Sequence, residues 1–165
     1  MKTLLGVGLL SIWILGPLTT AHADLRGEHL KCEYRTAPLG IDTDTPRLSW
    51  TLASKERGQF QTSYRIIAAS APGKLSERDA DLWDSGKVDS AQSVGISYKG
   101  KQLESGQRVY WKVRVWDSKE KDSGWSEPSW FETALLRTTD WRAKWITRQS
   151  PKPLSEKEMF EDHPA

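Results

Sequence analysis

Between Val109 and Trp116 the chain alternates strictly: Val109, Trp111, Val113 and Val115 are apolar, with Tyr110, Lys112, Arg114 and Trp116 between them. A period of two sends successive side chains to opposite faces, so this is a strand with one face buried and the other carrying two cations between two rings. Residues 117–124 are charged and end in Ser-Gly, which turns the chain, and Trp125 to Phe131 returns as the partner strand. A cation on an aromatic face contributes about 0.5–2 kcal/mol, so Lys112 or Arg114 held between Trp116 and Trp125 or Trp130 is expected to clip this hairpin together.

Shorter alternations recur before it, separated by turn residues, while helical periodicity is nearly absent. They predict strands at Leu30 to Tyr34, Arg47 to Leu52 (Leu48 and Trp50 inward), Thr62 to Ser70, a short edge piece near Val88, and Ser93 to Tyr98. With Val109 to Trp116 and Pro128 to Thr133 the total is about seven. That count and order predict an all-β, fibronectin type III-like (immunoglobulin-like) sandwich over residues 24–135, with Trp50 beneath the aromatic residues of the third and sixth strands. Such modules usually carry a corner tyrosine six residues after the leucine preceding the sixth strand. Here that leucine is Leu103 and the place is Val109; Tyr110 follows one residue later and points to the other face.

The first 23 residues read as an export signal: Lys2 starts it, Leu4 to Leu18 is its apolar run, and Ala21-His22-Ala23 is a small-x-small cleavage site, with cleavage after Ala23. The run is shorter than the roughly 20 residues that span a bilayer, so no membrane association is expected after the signal is removed. The exported part holds a single cysteine, Cys32, which cannot form an internal disulfide and is expected on the inner side of the first strand with Leu30 and Tyr34. The formal net charge of +2 drops by one when Lys2 leaves, so no field draws nucleic acid or an anionic membrane. From residue 136 the texture changes. Asp140 to Ile146 is compact and aromatic, and the polar stretch to Ala165, with three prolines, reads as a linker and the start of a further domain.

Several blocks in this order resemble the N-terminal region of bacterial α-L-rhamnosidases of the inverting type, which are large glycoside hydrolases. They are Pro38-Leu39-Gly40-Ile41-Asp42 with Pro46-Arg47-Leu48-Ser49-Trp50; Arg57-Gly58-Gln59 with Gln61-Thr62-Ser63-Tyr64-Arg65-Ile66; and Asp81 to Val88. Tyr110 to Asp117, Trp125-Ser126-Glu127 and Asp140 to Ile146 complete the set. The resemblance implies an exported, non-catalytic module that braces or orients downstream domains of the parent enzyme, and a parent that removes terminal rhamnose from glycosides. The family's catalytic acid and base match no position here. The alternative is a stand-alone exported sandwich that binds carbohydrate or protein.

The chemistry legible in the residues agrees with a non-catalytic role. An inverting glycosidase needs two carboxyl groups about 6.5–9.5 Å apart in a cleft. Asp81, Asp84, Asp117 and Glu132 fall instead at strand ends and turns, where carboxylates cap backbone donors. No metal-ligand spacing, nucleophile-base pair or glycine-rich phosphate loop is present, so no metal or cofactor is expected. Among nine tryptophans, the rings expected outward or in loops and able to stack on a sugar, including a rhamnose-containing glycan, are Trp83, Trp116 and, with them, Tyr98.

Overall fold

The computed structural model describes residues 25–144 and residue 146; the expected signal, its cleavage site at Ala23, Trp145 and the stretch 147–165 lie outside them. Two antiparallel sheets form the domain. One holds β1 (Arg26–Cys32), β2 (Arg47–Ala53) and β6 (Ile96–Ser97), in the order β1-β2-β6. The other is built on β3 (Ser63–Ala69) and β7 (Arg108–Trp116), which pair along seven positions from Ser63↔Trp116 to Ala69↔Tyr110. Around them lie β4 (Trp83–Asp84) and β5 (Val88–Asp89) on β3, and β8 (Asp122–Trp125) and β9 (Ser129–Glu132) on β7.

The all-β sandwich expected from the alternation is present, with nine strands among the described residues rather than seven. The edge piece near Val88 is preceded by a second two-residue strand, and the return strand of the hairpin divides at Ser126–Pro128, where proline cannot donate to the ladder. Strict alternation on β7 puts Val109, Trp111, Val113 and Val115 fully inside. Leu48 and Trp50 are buried opposite them, and the Trp50 indole meets the Tyr64 ring edge-on at 5.2 Å.

β1 needs a correction of parity to do its share. Glu28 pairs Thr51 but Lys31 pairs Ser49, so one extra residue bulges out, with His29 at φ 50°. The bulge turns Gly27 inward before it, and Leu30 and Cys32 inward after it. Gly27 lies close to the other sheet: a Cβ there would sit 2.9 Å from Val113 Cγ1. Cys32 takes the expected inner position, and burial pushes its thiol up to about 12. Tyr34 does not follow it inward. The chain turns left-handed at Glu33 and Tyr34 (φ 46° and 62°), the strand ends, and the ring stays exposed under the Arg47 guanidinium.

The face of β3 and β7 away from the main core is also covered. Ile67, Ala69 and Leu75 form a second buried cluster against Ala80, Tyr110 and Trp125, because residues 70–82 fold back over the sheet. Asp81 closes the base of that segment, accepting from Ser70 N at 2.8 Å, Ser70 Oγ at 2.7 Å and Lys74 Nζ at 2.8 Å. This explains why β3 is buried on both faces, which alternation alone does not predict.

Candidate functional site

The rings expected to face a sugar are placed otherwise. Trp83 is only 9 % exposed and Tyr98 only 2 %, and they meet edge-on at 5.2 Å inside the main core. The reason is a close passage of the chain. Lys101 N donates to Leu82 O at 2.8 Å, and Gly100 passes so near Trp83 that a Cβ there would lie 2.6 Å from Trp83 Cβ. Trp83 opens a two-residue strand and Tyr98 directly follows another, so neither sits on a long strand with a face of its own. Trp116 remains half-exposed, with Lys87 Nζ 5.0 Å from its ring centre.

The expected hairpin stack is distributed over three rings instead of forming one sandwich. Trp125 takes both Lys112 and Arg114, at 5.2 and 4.5 Å from its centre; Trp116 takes Lys87; Trp130 takes Arg108 at 4.4 Å. Burial, and then Arg114, hold the Lys112 ammonium below its ordinary value. Glu77, which alternation could not single out because it lies in a loop, joins this face together. It receives Arg65 Nη1 at 2.7 Å, Arg114 Nη2 at 2.9 Å and Trp125 Nε1 at 3.2 Å, while Arg65 also makes a two-pronged contact with Asp84. The carboxylates weighed as acid or base are likewise engaged by donors. Asp81 and Asp84 are held below the usual range by Lys74 and Arg65 respectively, Asp117 caps Lys119 N and Lys121 N, and Glu132 meets Arg108. For Asp81 and Asp84 these donors favour the ionised form, the opposite of what a catalytic acid requires.

The organised polar chemistry near the domain's end lies where the chain leaves the sandwich. Residues 38–41 run parallel to 132–134, with Ile41 N donating to Glu132 O at 2.9 Å and Ala134 N donating to Ile41 O at 2.7 Å. Thr133 ties the neighbouring corner that lacks a tyrosine: its hydroxyl donates to Glu104 O at 2.6 Å and accepts Gln107 N at 2.9 Å. Beyond it Leu136 packs against the core, and its N–H donates to Ser105 Oγ at 2.8 Å. The same hydroxyl hydrogen-bonds the Asp140 carboxylate at the end of a 3-10 turn, Thr138–Asp140. One serine thus fixes the departing segment at Leu136 and the turn after it. Neither Ser105 nor Thr133 carries a pattern visible in the sequence, since each acts through a single hydroxyl in a loop or strand end.

Exposed apolar side chains border this pole: Leu39 is 64 % exposed, Leu135 49 % and Trp141 61 %. Shallow hollows beside Leu39 and Leu135 are joined through shared walls. The hollow beside Leu39 shares Asp42 and Thr43 with the next, and that one shares Arg137 with the hollow beside Leu135, Asp140 and Arg142.

A family model for the "Rha78A-like, N-terminal immunoglobulin domain" matches residues 28–137. The chain is 46 % identical over 129 residues to an alpha-L-rhamnosidase of Streptomyces avermitilis, and 41 % identical over 123 residues to one of Formosa agariphila. These alignments take in 78 % and 74 % of this chain but 12 % and 13 % of the relatives, so it spans about an eighth of their length. Solved structures agree. The Streptomyces avermitilis alpha-L-rhamnosidase complexed with L-rhamnose superposes with a TM-score of 0.73 at 44 % identity, over 77 % of this chain and 12 % of that one. The alpha-L-rhamnosidase from Dictyoglumus thermophilum gives 0.71 at 43 %, over 74 % and 14 %. With the two sheets, the Trp50 core and the matched span in agreement, the chain belongs to the family of Rha78A-like N-terminal immunoglobulin domains.

Proposed function

We propose that this domain is a non-catalytic support module at the front of an exported α-L-rhamnosidase-type glycoside hydrolase, and that it braces and orients the domains that follow. The observation that carries this reading is the clamp at Ser105, which holds Leu136 N and Asp140 and so gives the departing chain a fixed direction. A free tether would need no such clamp. Export is supported by the leader Leu4 to Leu18 with its Ala21-His22-Ala23 site. The glycosidase reading of the whole protein is supported by relatives that are alpha-L-rhamnosidases. A sugar-binding role is not favoured, because two of the three rings that could serve it, Trp83 and Tyr98, are spent on the core.

Incubating the purified chain with an aryl α-L-rhamnoside tests the non-catalytic part. No phenol release above the blank is expected, and turnover by pure protein would overturn it. Deleting the module from a full-length relative should lower that enzyme's thermal midpoint or its soluble yield. An unchanged enzyme would remove the bracing role.

A further inference from the structure

We infer that the exit pole is a docking face whose occupant is the next domain of the same polypeptide, with Trp141 as its central anchor and Leu135 and Leu39 beside it; this rests on the support-module reading. Three observations carry it. Among the exposed apolar side chains, which also include Tyr34, Phe60 and Val94 in other loops, Leu39 lies on the segment paired with 132–134, and Leu135 and Trp141 follow that pairing as the chain departs. An exposed tryptophan on a mobile tail would make a poor anchor, but Trp141 follows directly on the turn held by Ser105 and Asp140, and its own N–H donates to Thr138 O at 3.3 Å. It is presented at low entropic cost, as an interface anchor should be. The occupant follows from chain length. The matched relatives are about eight times longer than the stretch they share with this family of N-terminal domains, so in them most of the chain lies beyond such a domain, and a domain of that kind is the inferred occupant.

The other faces are less suited. The outer face of β3 and β7 is already closed by residues 70–82 and the Glu77 network. The open edge of β1 is interrupted by its bulge and flanked by Arg26, Glu28 and Lys31, the usual defences against strand addition. At the pole, Arg137 and Arg142 stand exposed around Leu135 beside the carboxylates of Glu104 and Asp140, so the partner surface should offer an apolar socket for the indole with polar groups of both signs at its rim.

The test uses a chimera in which residues 25–146 replace the matching module of the Streptomyces avermitilis alpha-L-rhamnosidase. Trp141→Ala, and separately Leu135→Ser with Leu39→Ser, should speed protease cleavage at the junction about tenfold, as loss of an anchor does. In the isolated 165-residue chain the same changes should shift the thermal midpoint by no more than about 2 °C, because these side chains are solvated there. If module deletion weakens the enzyme but neither variant changes junction cleavage, the docking face is wrong and the support role stands. If deletion itself has no effect, both fall. Equal losses in the isolated chain and in the chimera would make Trp141 an internal packing residue and overturn the inference.

Discussion

Arg65 and Arg114 stand directly opposite each other across β3 and β7, and a single carboxylate, Glu77, takes one nitrogen from each, at 2.7 and 2.9 Å. Like charges at directly paired positions destabilise a sheet, so this pair is tolerable only because Glu77 lies between them and Asp84 engages Arg65 from the other side. Glu77→Gln should therefore cost about 1 kcal/mol, a value limited by the exposure of the carboxylate and by solvent screening. Urea denaturation at low salt measures it, and added sodium chloride should shrink the difference. A variant as stable as the parent at low salt would mean that the two guanidinium groups do not depend on this carboxylate.

Gly27 on β1 and Val113 on β7 approach each other across the two sheets. With a Cβ 2.9 Å from Val113 Cγ1 and 3.4 Å from Trp50 Cδ1, Gly27→Ala must push the sheets apart or force a rotamer, which costs about 1–3 kcal/mol. A double-mutant cycle with Val113→Ala isolates the clash, because the alanine at position 27 should cost markedly less once the valine methyl groups are gone. Equal costs in both backgrounds would place the strain elsewhere.

Val109 to Val115 and Leu48 to Trp50 are legible because a long strand with one buried face has a period, and the period survives in the letters. Trp83 and Tyr98 are not legible, since one opens and the other follows a strand only two residues long, which has no period, and the chain passes close to both at Gly100. Lys112, Arg114, Trp116, Trp125 and Trp130 are visibly a set of cations and rings, but their partners are Glu77, Lys87 and Arg108, and the first two come from outside the hairpin. Tyr34 is misplaced for a local reason: two left-handed residues end the strand before it. The exit clamp depends on a serine 31 residues before its backbone donor, a relationship with no signature in spacing.

The pH response should follow Asp81. The Lys74 ammonium and then the Ser70 hydroxyl hold its carboxyl well below the ordinary value, near 3.9 for an unperturbed Asp. A depressed native value means the unfolded chain takes up the proton first. This contribution is therefore complete above about pH 4 and is lost progressively as the pH falls below it. Asp84 with Arg65, and Glu33 with Arg47, shift in the same direction and act in the same acid range. Asp81→Asn should lower stability at neutral pH and flatten the decline between about pH 4 and pH 2, read from denaturant midpoints across that range. A variant whose midpoint falls as steeply as the parent's would show that Asp81 does not carry this linkage.

The Ser105 clamp makes a prediction that separates local from global stability. Ser105→Ala removes the acceptor for Leu136 N and a partner of Asp140, but it leaves the Leu136 side chain against the core. The net loss from one such hydrogen bond is about 1 kcal/mol, so the global midpoint should move little. The amide of Leu136, however, depends on that hydroxyl, and its hydrogen exchange should accelerate about tenfold, with residues 137–141 following, while the amides of β7 keep their rates. Asp140→Ala supplies the contrast. It frees the turn before Trp141 but leaves the N–H···Oγ bond at Leu136 in place, so exchange should rise at 140–141 and stay slow at 136. If Ser105→Ala leaves Leu136 protected, the departing segment is held by its packing and by the Ile41 pairing alone, and the fixed direction of the departing chain would have to be assigned to those contacts.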